Sequence, residues 1–222
     1  MRMFNQTDAQ ISEASNHLKH LTESEMLDVL ECARKVSARD HALILVTYIY
    51  GLRNQEVARL RLADLNWDSM TITARRQKNS LTTEQPLVRH KGRPALDVVG
   101  ALETWLSERN DEGSDIVFVS KKVSAKRGKA LSQRSVTRVW AKYCKMASEA
   151  RAARGLAPID GSLWHIHVAK HTRGTALAEK GARPQSIKMI LGHRSILSTE
   201  IYLHPSQKIA WQEERRLMMG AF

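Results

Sequence analysis

The stretch HIHVAKHTRGT, from His165 to Thr175, concentrates side chains that could take part in chemistry. Three histidines, two basic side chains and two threonines lie within eleven positions, which is too many polar groups for the start of an ordinary buried helix. Three interpretations are open for such a set: a metal site, a phosphate site or a solvated surface.

A phosphate explains this stretch better than a metal ion does. His167 and His171 have the spacing of two zinc ligands on one helix face. However, no glutamate follows the first histidine as in the metalloprotease helix, no cysteine lies nearby, and Lys170 and Arg173 would repel a cation. An anion suits the same residues, because Lys170 and His167 donate hydrogen bonds and a helix N-terminus favours negative charge. The stretch therefore predicts a phosphate site and no metal site.

Four more stretches carry polar residues that suit phosphate chemistry. They are GLRNQEV at 51–57, RRQKNS with Lys78 in the turn after a predicted strand, LGH at 191–193 and IYLH at 201–204. Together with HVAKH, their order and spacing resemble those of the tyrosine recombinases, and the chain from about Leu21 onward resembles the catalytic domain of that family. In size it resembles the short fimbrial phase-switch DNA invertases. A longer recombinase with a separate core-binding domain is the alternative.

The resemblance implies a nucleophile and two basic groups that act on a phosphodiester. Tyr202, nine positions after His193, would attack the phosphorus and form a 3′-phosphotyrosyl link. Arg53 would clamp the phosphate with its planar fork, oriented by Glu56. Lys78 would give a proton to the leaving 5′ oxygen.

The resemblance also implies roles for two histidines, and it marks one departure. His167 would bind the phosphate and take the tyrosine proton, and His193 would donate to a non-bridging oxygen. The family motif is His-x-x-Arg, but Lys170 stands where the second arginine belongs, so the charge is kept and the bidentate fork is lost. Arg173, three positions on, is expected on the same helix face, where it could reach part of the gap. His171 is expected to orient the backbone.

Two classes of function follow from the resemblance. The first is a site-specific recombinase that performs inversion, integration or excision. It would act as a tetramer on synapsed double-stranded DNA with inverted-repeat sites and as a monomer when free, with a DNA-bending accessory protein as a further partner. The second is a recombinase-derived DNA-binding regulatory protein in which Lys170 impairs catalysis. The presence of Tyr202 together with all the basic groups expected to act on the phosphate favours the recombinase. A type IB topoisomerase shares the chemistry but ordinarily acts as a monomer, and no cofactor is implied.

The elements that must position these residues can be predicted from local signals. A capping box of Thr22 and Glu25 predicts a first helix to about Val36. Further helices are expected at about 40–50, 54–60 with Asn54 as its cap, 96–109, 132–154, 172–180, 184–191 and 206–219, with a turn capped by Ser198 that carries Tyr202. Strands are expected at 70–75 and 86–90, with a third apolar run at 116–120. These elements predict a mainly helical α+β domain with a small antiparallel sheet. Residues 1–20 would form an N-terminal extension, and residues 21–222 the catalytic domain with a C-terminal tail helix at about 206–219.

The charge of the chain points to a polyanionic partner. The formal net charge is +12, and residues 121–154 carry eleven basic side chains against one acid. Apolar residues at helical spacing beneath these charges predict an amphipathic helix with a cationic face. The predicted DNA-binding residues are Lys121, Lys122, Lys126, Arg127, Lys129, Arg134 and Arg138. An anionic membrane would attract the same charges, but the apolar side resembles ordinary core. Two cysteines and no long apolar stretch suggest a cytoplasmic protein.

Overall fold

The computed structural model describes residues 19–77, 80–110, 113–120, 129–202, 214–215 and 218–219. Within these ranges the chain forms eight α-helices and three short strands. The helices are α1 (Glu23–Val36), α2 (Ala38–Ile49), α3 (Asn54–Ala58), α4 (Val98–Glu108), α5 (Gln133–Ala153), α6 (His167–Glu179), α7 (Pro184–Leu191) and α8 (Leu197–Glu200). The strands are β1 (Leu65–Asn66), β2 (Thr71–Ala74) and β3 (Thr83–Pro86). No helix in the described ranges is long and apolar enough to cross a membrane.

The first helix begins where its capping box predicts, and the second begins earlier than predicted. The backbone N–H of Thr22 donates to the carboxylate of Glu25 at 2.8 Å, and the N–H of Glu25 donates to the Thr22 hydroxyl at 3.2 Å. This reciprocal capping box confirms the predicted start of α1. Ser37 separates α1 from α2 and accepts a hydrogen bond from the N–H of Asp40, so α2 begins two residues earlier than predicted.

Helix α2 is the centre of the hydrophobic core, as its nearly unbroken apolar sequence predicts. Residues 40–48 are all buried, and α2 packs against α1, α4 and α6. Burying a helix on all sides requires apolar residues around its whole circumference, since a one-sided stripe would leave polar groups unsolvated. Helix α5 packs against α1 and α3, and therefore lies next to the helix that follows Arg53.

The sheet confirms one predicted strand and corrects another. Strand β2 pairs antiparallel with β1 and β3, in the order β1-β2-β3. The returning strand was expected at 86–90 but lies at Thr83–Pro86, because Ile72 pairs with Gln85 and Ala74 with Thr83. The strand sequence TEQP has no apolar alternation, so its position is fixed by its pairing with β2 and not by its own pattern.

Glycines end the two helices around the candidate site as predicted, whereas two helix starts differ. Gly181 follows α6 with φ 76° and Gly192 follows α7 with φ 67°, both in the left-handed region that glycine adopts without strain. Helix α6 begins at His167, five residues before the predicted start, so the predicted phosphate stretch lies inside the helix. Ser198 lies within α8 and does not cap it; Ile196 occupies the cap position.

Two predicted segments fall largely outside the described residues. The N-terminal extension at 1–20 is described only at Lys19 and His20, and the tail helix at 206–219 only at 214–215 and 218–219. The described start of the chain is anchored beside the candidate site, because the N–H of Leu21 donates to the Thr172 hydroxyl at 2.9 Å.

Candidate active site

A cavity of about 600 Å³ collects most of the residues that the sequence singled out. Its wall comes from the start of α3, the end of the β2–β3 connection, one face of α6, and residues 193–202, which include α8. The lining residues are Arg53, Ser80, His167, Lys170, His171, His193, Arg194, Ser195, Ser198, Ile201 and Tyr202. Lys78 and Asn79 lie outside the described residues, so the proton donor assigned to Lys78 stays a prediction.

Arg53 is held at the start of α3 by Glu56. It occupies the cap position that was expected for Asn54, and its N–H donates to Glu56 Oε2 at 2.8 Å. The guanidinium Nη1 donates to Glu56 Oε1 at 3.0 Å and to the Ser80 hydroxyl at 2.8 Å. Burial would raise the pKa of Glu56, but the hydrogen bonds from Arg53 and the charge of Arg76 outweigh burial, so the pKa is lowered. Glu56 therefore stays ionised and orients Arg53.

Arg76 is a buried cross-link that no sequence signal predicted. Its side chain is 0% exposed, and its guanidinium donates to the backbone oxygens of Tyr50, Gly51 and Ile190 and to Glu56 Oε2. These acceptors lie just before Arg53 and just before His193 in the chain, so one side chain connects the two segments that carry those residues. A Cβ on Gly192 would lie 2.8 Å from Arg76 Nε, so this position requires glycine for lack of space as well as for its positive φ.

Removing the Arg76 guanidinium is expected to destabilise the fold strongly. An Arg76→Met variant leaves the buried Glu56 without one cation and takes the Arg76 donor from the backbone oxygens of Tyr50 and Gly51, while Ile190 keeps the Gln85 amide as a donor. Such a change typically costs about 3–5 kcal/mol of unfolding free energy. Urea unfolding followed by circular dichroism measures the loss. The matched control is Arg34→Met, which breaks a surface ion pair with Glu31 at about 40% exposure; its expected cost is below about 1 kcal/mol. Equal costs for both variants would contradict the cross-link.

One face of α6 presents His167, Lys170 and His171 to the cavity. His167 is exposed, and its pKa is lowered by partial burial and by the neighbouring His165. Lys170 is 8% exposed, and its Nζ donates to the backbone oxygen of Leu191 at 2.7 Å. Burial, followed by the charges of Arg76 and Arg53, lowers the pKa of Lys170 to about 7. A buried cation beside this cavity suits a phosphate oxygen.

His193 and Tyr202 face each other across the cavity. The His193 ring stacks on the Tyr202 ring with centroids 6.2 Å apart, and its Nδ1 is hydrogen-bonded to the Thr199 hydroxyl at 3.0 Å. Burial, followed by the charges of Lys170 and Arg53, lowers the pKa of His193 to about 4, so the ring is neutral at neutral pH. Burial raises the pKa of Tyr202 to about 12, so its hydroxyl is protonated.

The structure does not bring Arg173 to the cavity. Its Cζ lies 5.8 Å from the ring centroid of Tyr48, and its Nε is buried without a hydrogen-bond partner in the described chain. At about 100° per residue, His167, His171 and Gly174 lie on one side of Lys170 around α6, and Arg173 lies on the other. The expectation that Arg173 fills the gap left by the missing fork is therefore wrong. His171 also differs from expectation, because its side chain contacts Tyr202 directly.

The basic segment 129–154, which contains α5, has some side chains exposed to solvent and others in ion pairs inside the protein. Lys129, Arg134 and Arg138 are exposed, as predicted for side chains that contact DNA. Arg151 and Arg154 instead pair with Asp28 of α1 at 2.7 Å each. The predicted DNA contacts Lys121, Lys122, Lys126 and Arg127 lie outside the described residues. Within the described ranges, no group of three or more His, Cys, Asp or Glu residues is placed to hold a metal ion.

Sequence comparisons show which known proteins the chain is similar to. The sequence profile of the phage integrase family matches residues 19–208. Type 1 fimbriae regulatory protein FimE of Escherichia coli (strain K12) is 30% identical over 190 residues, covering 83% of this chain and 84% of FimE. FimB of the same strain is 31% identical over 187 residues, covering 82% of each chain. Tyrosine recombinase XerA of Pyrococcus furiosus is 27% identical over 190 residues and is covered over 58% of its length.

Solved structures share the fold. The crystal structure of XerA recombinase superimposes with a TM-score of 0.68 at 23% identity, covering 89% of this chain and 64% of that one. The XerH recombinase bound to its difH substrate before cleavage gives a TM-score of 0.62 at 23% identity, covering 86% of this chain and 51% of that one. These likenesses confirm the predicted fold class.

Proposed function

The chain belongs to the phage integrase family and is a tyrosine recombinase of DNA, and we propose that it joins Tyr202 covalently to the 3′ phosphate at each cut. The expected similarity to short fimbrial proteins is confirmed by the match to FimE and FimB over more than four fifths of their length. The observation that carries the proposal is the single cavity that holds Arg53, Lys170, His193 and Tyr202.

The chemistry of the proposal balances within the cavity and the DNA. The Tyr202 O–H bond breaks as its oxygen forms a bond to phosphorus, and the phenolic proton passes to a histidine of the cavity. The P–O5′ bond breaks with its electron pair leaving on the 5′ oxygen, which takes a proton from the predicted donor Lys78. Arg53, Lys170 and His193 offset the charge that develops on the non-bridging oxygens. The phosphotyrosyl link conserves the phosphodiester energy, so resealing needs no nucleotide cofactor.

The partner of this cavity is double-stranded DNA with inverted-repeat sites. Recombination between two such sites requires four nucleophiles, so the proposed active assembly is a tetramer on synapsed DNA, formed from monomers and aided by a DNA-bending protein. XerH is solved with a DNA substrate, which supports DNA as the partner. A regulatory DNA-binding protein without strand exchange is the other class of function, and it would have no need of a buried nucleophile among three phosphate-binding side chains.

A covalent trapping experiment tests the proposal. The protein is incubated with nicked DNA that carries its native flanking repeats and a label, and is then denatured and separated on a denaturing gel. A labelled adduct is expected at the 3′ side of the cut, and peptide mapping should place it at Tyr202. Retained DNA binding with no adduct on the proper site would reject strand cleavage and favour the regulatory alternative.

The exposed residues Lys129, just before α5, and Arg134 and Arg138, within α5, are expected to supply salt-dependent DNA affinity. Replacing Lys129, Arg134 and Arg138 by alanine in one variant should make the slope of log affinity against log salt concentration less negative, by about 0.9 for each phosphate contact removed. Fluorescence anisotropy at several salt concentrations measures the slope. The control replaces Arg34 and Lys35 at the end of α1. A slope that changes equally in both variants, or in neither, would place the DNA away from α5.

A further inference from the structure

We propose that His171 is the general base that takes the Tyr202 proton during DNA cleavage and returns it during resealing. The inference rests on the proposed function, and it assigns to His171 a step that the family resemblance gives to His167. It is carried by the contact between His171 and the nucleophile, by the fit of the Tyr202 ring on α6, and by the surroundings of both groups.

The Tyr202 hydroxyl lies within direct proton-transfer distance of His171. Its oxygen is 3.1 Å from His171 Nδ1, inside the range in which a general base must reach the proton it removes. In the described part of the chain this is the hydrogen bond that the hydroxyl makes, and none joins it to His167. His193 stacks on the tyrosine ring, but its Nδ1 is engaged by the Thr199 hydroxyl, so His193 is oriented by α8 and not by the nucleophile.

A glycine in the middle of α6 shows that this position of Tyr202 is built into the sequence. A Cβ on Gly174 would lie 2.6 Å from both Cε1 and Cζ of Tyr202, closer than any side chain tolerates. Glycine inside a helix costs about 1 kcal/mol relative to alanine, so its presence there requires a structural reason. Gly174 lies one turn beyond His171 on the same face. Helix α6 thus seats the ring on Gly174 and presents an imidazole to the hydroxyl.

The surroundings of His171 keep it neutral before the reaction and favour its protonation during it. Partial burial, followed by the charges of His167, Lys170, His165 and His20, lowers the pKa of His171, so the ring is neutral at neutral pH. In the tautomer with the ring proton on Nε2, the lone pair of Nδ1 can accept the Tyr202 proton. The groups that face the His171 ring are His167 and Lys170 on α6, His165 before α6, His20 before α1, and Tyr202 after α8. None of these is acidic. Within the described ranges the charges that act on the His171 ring are therefore all basic, and the scissile phosphate of bound DNA would supply a counter-charge to an imidazolium at His171.

The proton movement then accounts for both directions of the reaction. In cleavage, the phenolic O–H bond breaks and the proton goes to His171 Nδ1 while the phenolic oxygen bonds to phosphorus. The P–O5′ bond breaks with its electron pair leaving on the 5′ oxygen, which takes a proton from the general acid. In resealing, the 5′ hydroxyl returns its proton to the general acid as its oxygen attacks phosphorus, the bond from phosphorus to Tyr202 breaks, and the imidazolium returns the other proton to the phenolate oxygen. Because burial raises the pKa of Tyr202 to about 12, the free phenolate is scarce and a base in contact with the hydroxyl is needed.

The test replaces His171 by asparagine, whose side-chain amide occupies the place of Nδ1 and keeps a hydrogen bond but cannot take a proton. Single-turnover adduct formation on nicked DNA should fall about 10²–10⁴-fold, the range for loss of a general base, with unchanged DNA affinity. The wild-type rate should fall as pH drops through the lowered His171 pKa, and this acidic limb should be absent in His171→Asn. His90→Asn, which changes an exposed histidine that does not line the cavity, is the matched control and should keep the wild-type rate.

Chemical rescue separates a base from a structural role. Added imidazole should restore adduct formation in His171→Ala, because the free base can enter the space that the ring vacates, and should not do so in His167→Ala. The opposite pattern, or a His171→Asn rate within threefold of wild type, overturns the proposal and leaves His167 as the base. If wild type itself forms no adduct, the recombinase assignment fails instead, so the two failures are distinguishable. Should His171→Asn not fold, rescue of His171→Ser by imidazole decides the question.

Discussion

A Tyr202→Phe chain is expected to bind its DNA site as tightly as wild type and to form no covalent adduct. The ring would keep its place against Gly174 and His193, because its contacts in the cavity are made by carbon atoms. The variant loses the hydroxyl that attacks phosphorus and one hydrogen bond to His171, which contributes about 1 kcal/mol to stability. Denaturing gels with labelled nicked DNA measure the adduct, and anisotropy measures binding.

The other tyrosines supply the control for this prediction. Tyr48 is buried beneath Arg173, away from the cavity, so Tyr48→Phe should form adduct at the wild-type rate. An adduct that persists in Tyr202→Phe, or that maps to another tyrosine, would contradict the assignment of the nucleophile. Loss of DNA binding in Tyr202→Phe would mean that the hydroxyl positions the DNA and that the cavity has been misassigned.

The sequence predicted the parts of this fold that depend on local interactions. The capping box at Thr22 and the glycine after α7 act within a few residues, so their signals are visible without any tertiary information. The order of Arg53, His193 and Tyr202 was likewise sufficient to predict that they meet, because the resemblance supplied the fold that brings them together. The structure places all three around one cavity.

The features that the sequence did not predict depend on contacts between distant segments. Arg76 stands in the run RRQK, which resembles an exposed strand end, and its burial depends on backbone oxygens as far away as Ile190. The position of β3 depends on pairing with β2. Arg173 was placed on the wrong side of α6 because a spacing of three residues fixes only a neighbourhood on the helix surface. The side of α6 that packs against Tyr48 depends on how α6 packs in the hydrophobic core, which the spacing alone does not show.

Lys170 matters more once Arg173 is excluded from the cavity, because it is then the cation of α6 nearest the phosphate. Its Nζ is already hydrogen-bonded to Leu191 at the C-terminal end of α7, where a cation is favoured by the helix dipole. A lysine held in this way presents one charge at a fixed point, while an arginine would present two parallel donors. The buried Arg76 lies close enough to lower the pKa of Lys170, so the charge of Lys170 depends on pH in a way that an arginine would not.

Replacing Lys170 by alanine is expected to slow adduct formation about 10²–10³-fold, the cost of removing one donor that stabilises the developing charge. Lys170→Arg should give a rate within about tenfold of wild type or above it, because the bidentate fork returns. Single-turnover rates on nicked DNA measure both, with DNA affinity followed in parallel. Arg173→Ala is the control and should leave the rate unchanged, since Arg173 lies over Tyr48. A large loss in Arg173→Ala with little loss in Lys170→Ala would reverse the assignment.

The pH dependence of the adduct-formation rate, compared between wild type and Lys170→Arg, gives a sharper test of Lys170. Because the pKa of Lys170 is lowered to about 7, its charge is present below that pH and is lost as the pH rises through it. Arginine stays charged throughout this pH range. The rates are compared at subsaturating DNA, where they report the protonation state of the free protein. The ratio of the wild-type rate to the Lys170→Arg rate should then be constant below pH ~6 and fall about tenfold per pH unit well above pH 7. Titration of His171 and Tyr202 affects both chains equally and cancels in the ratio. A ratio that does not change between pH 6 and 9 would show that Lys170 stays charged or does not act on the phosphate. Adduct formation by Lys170→Arg alone, with none by wild type at any pH, would instead establish a DNA-binding protein that lost strand cleavage through this one substitution.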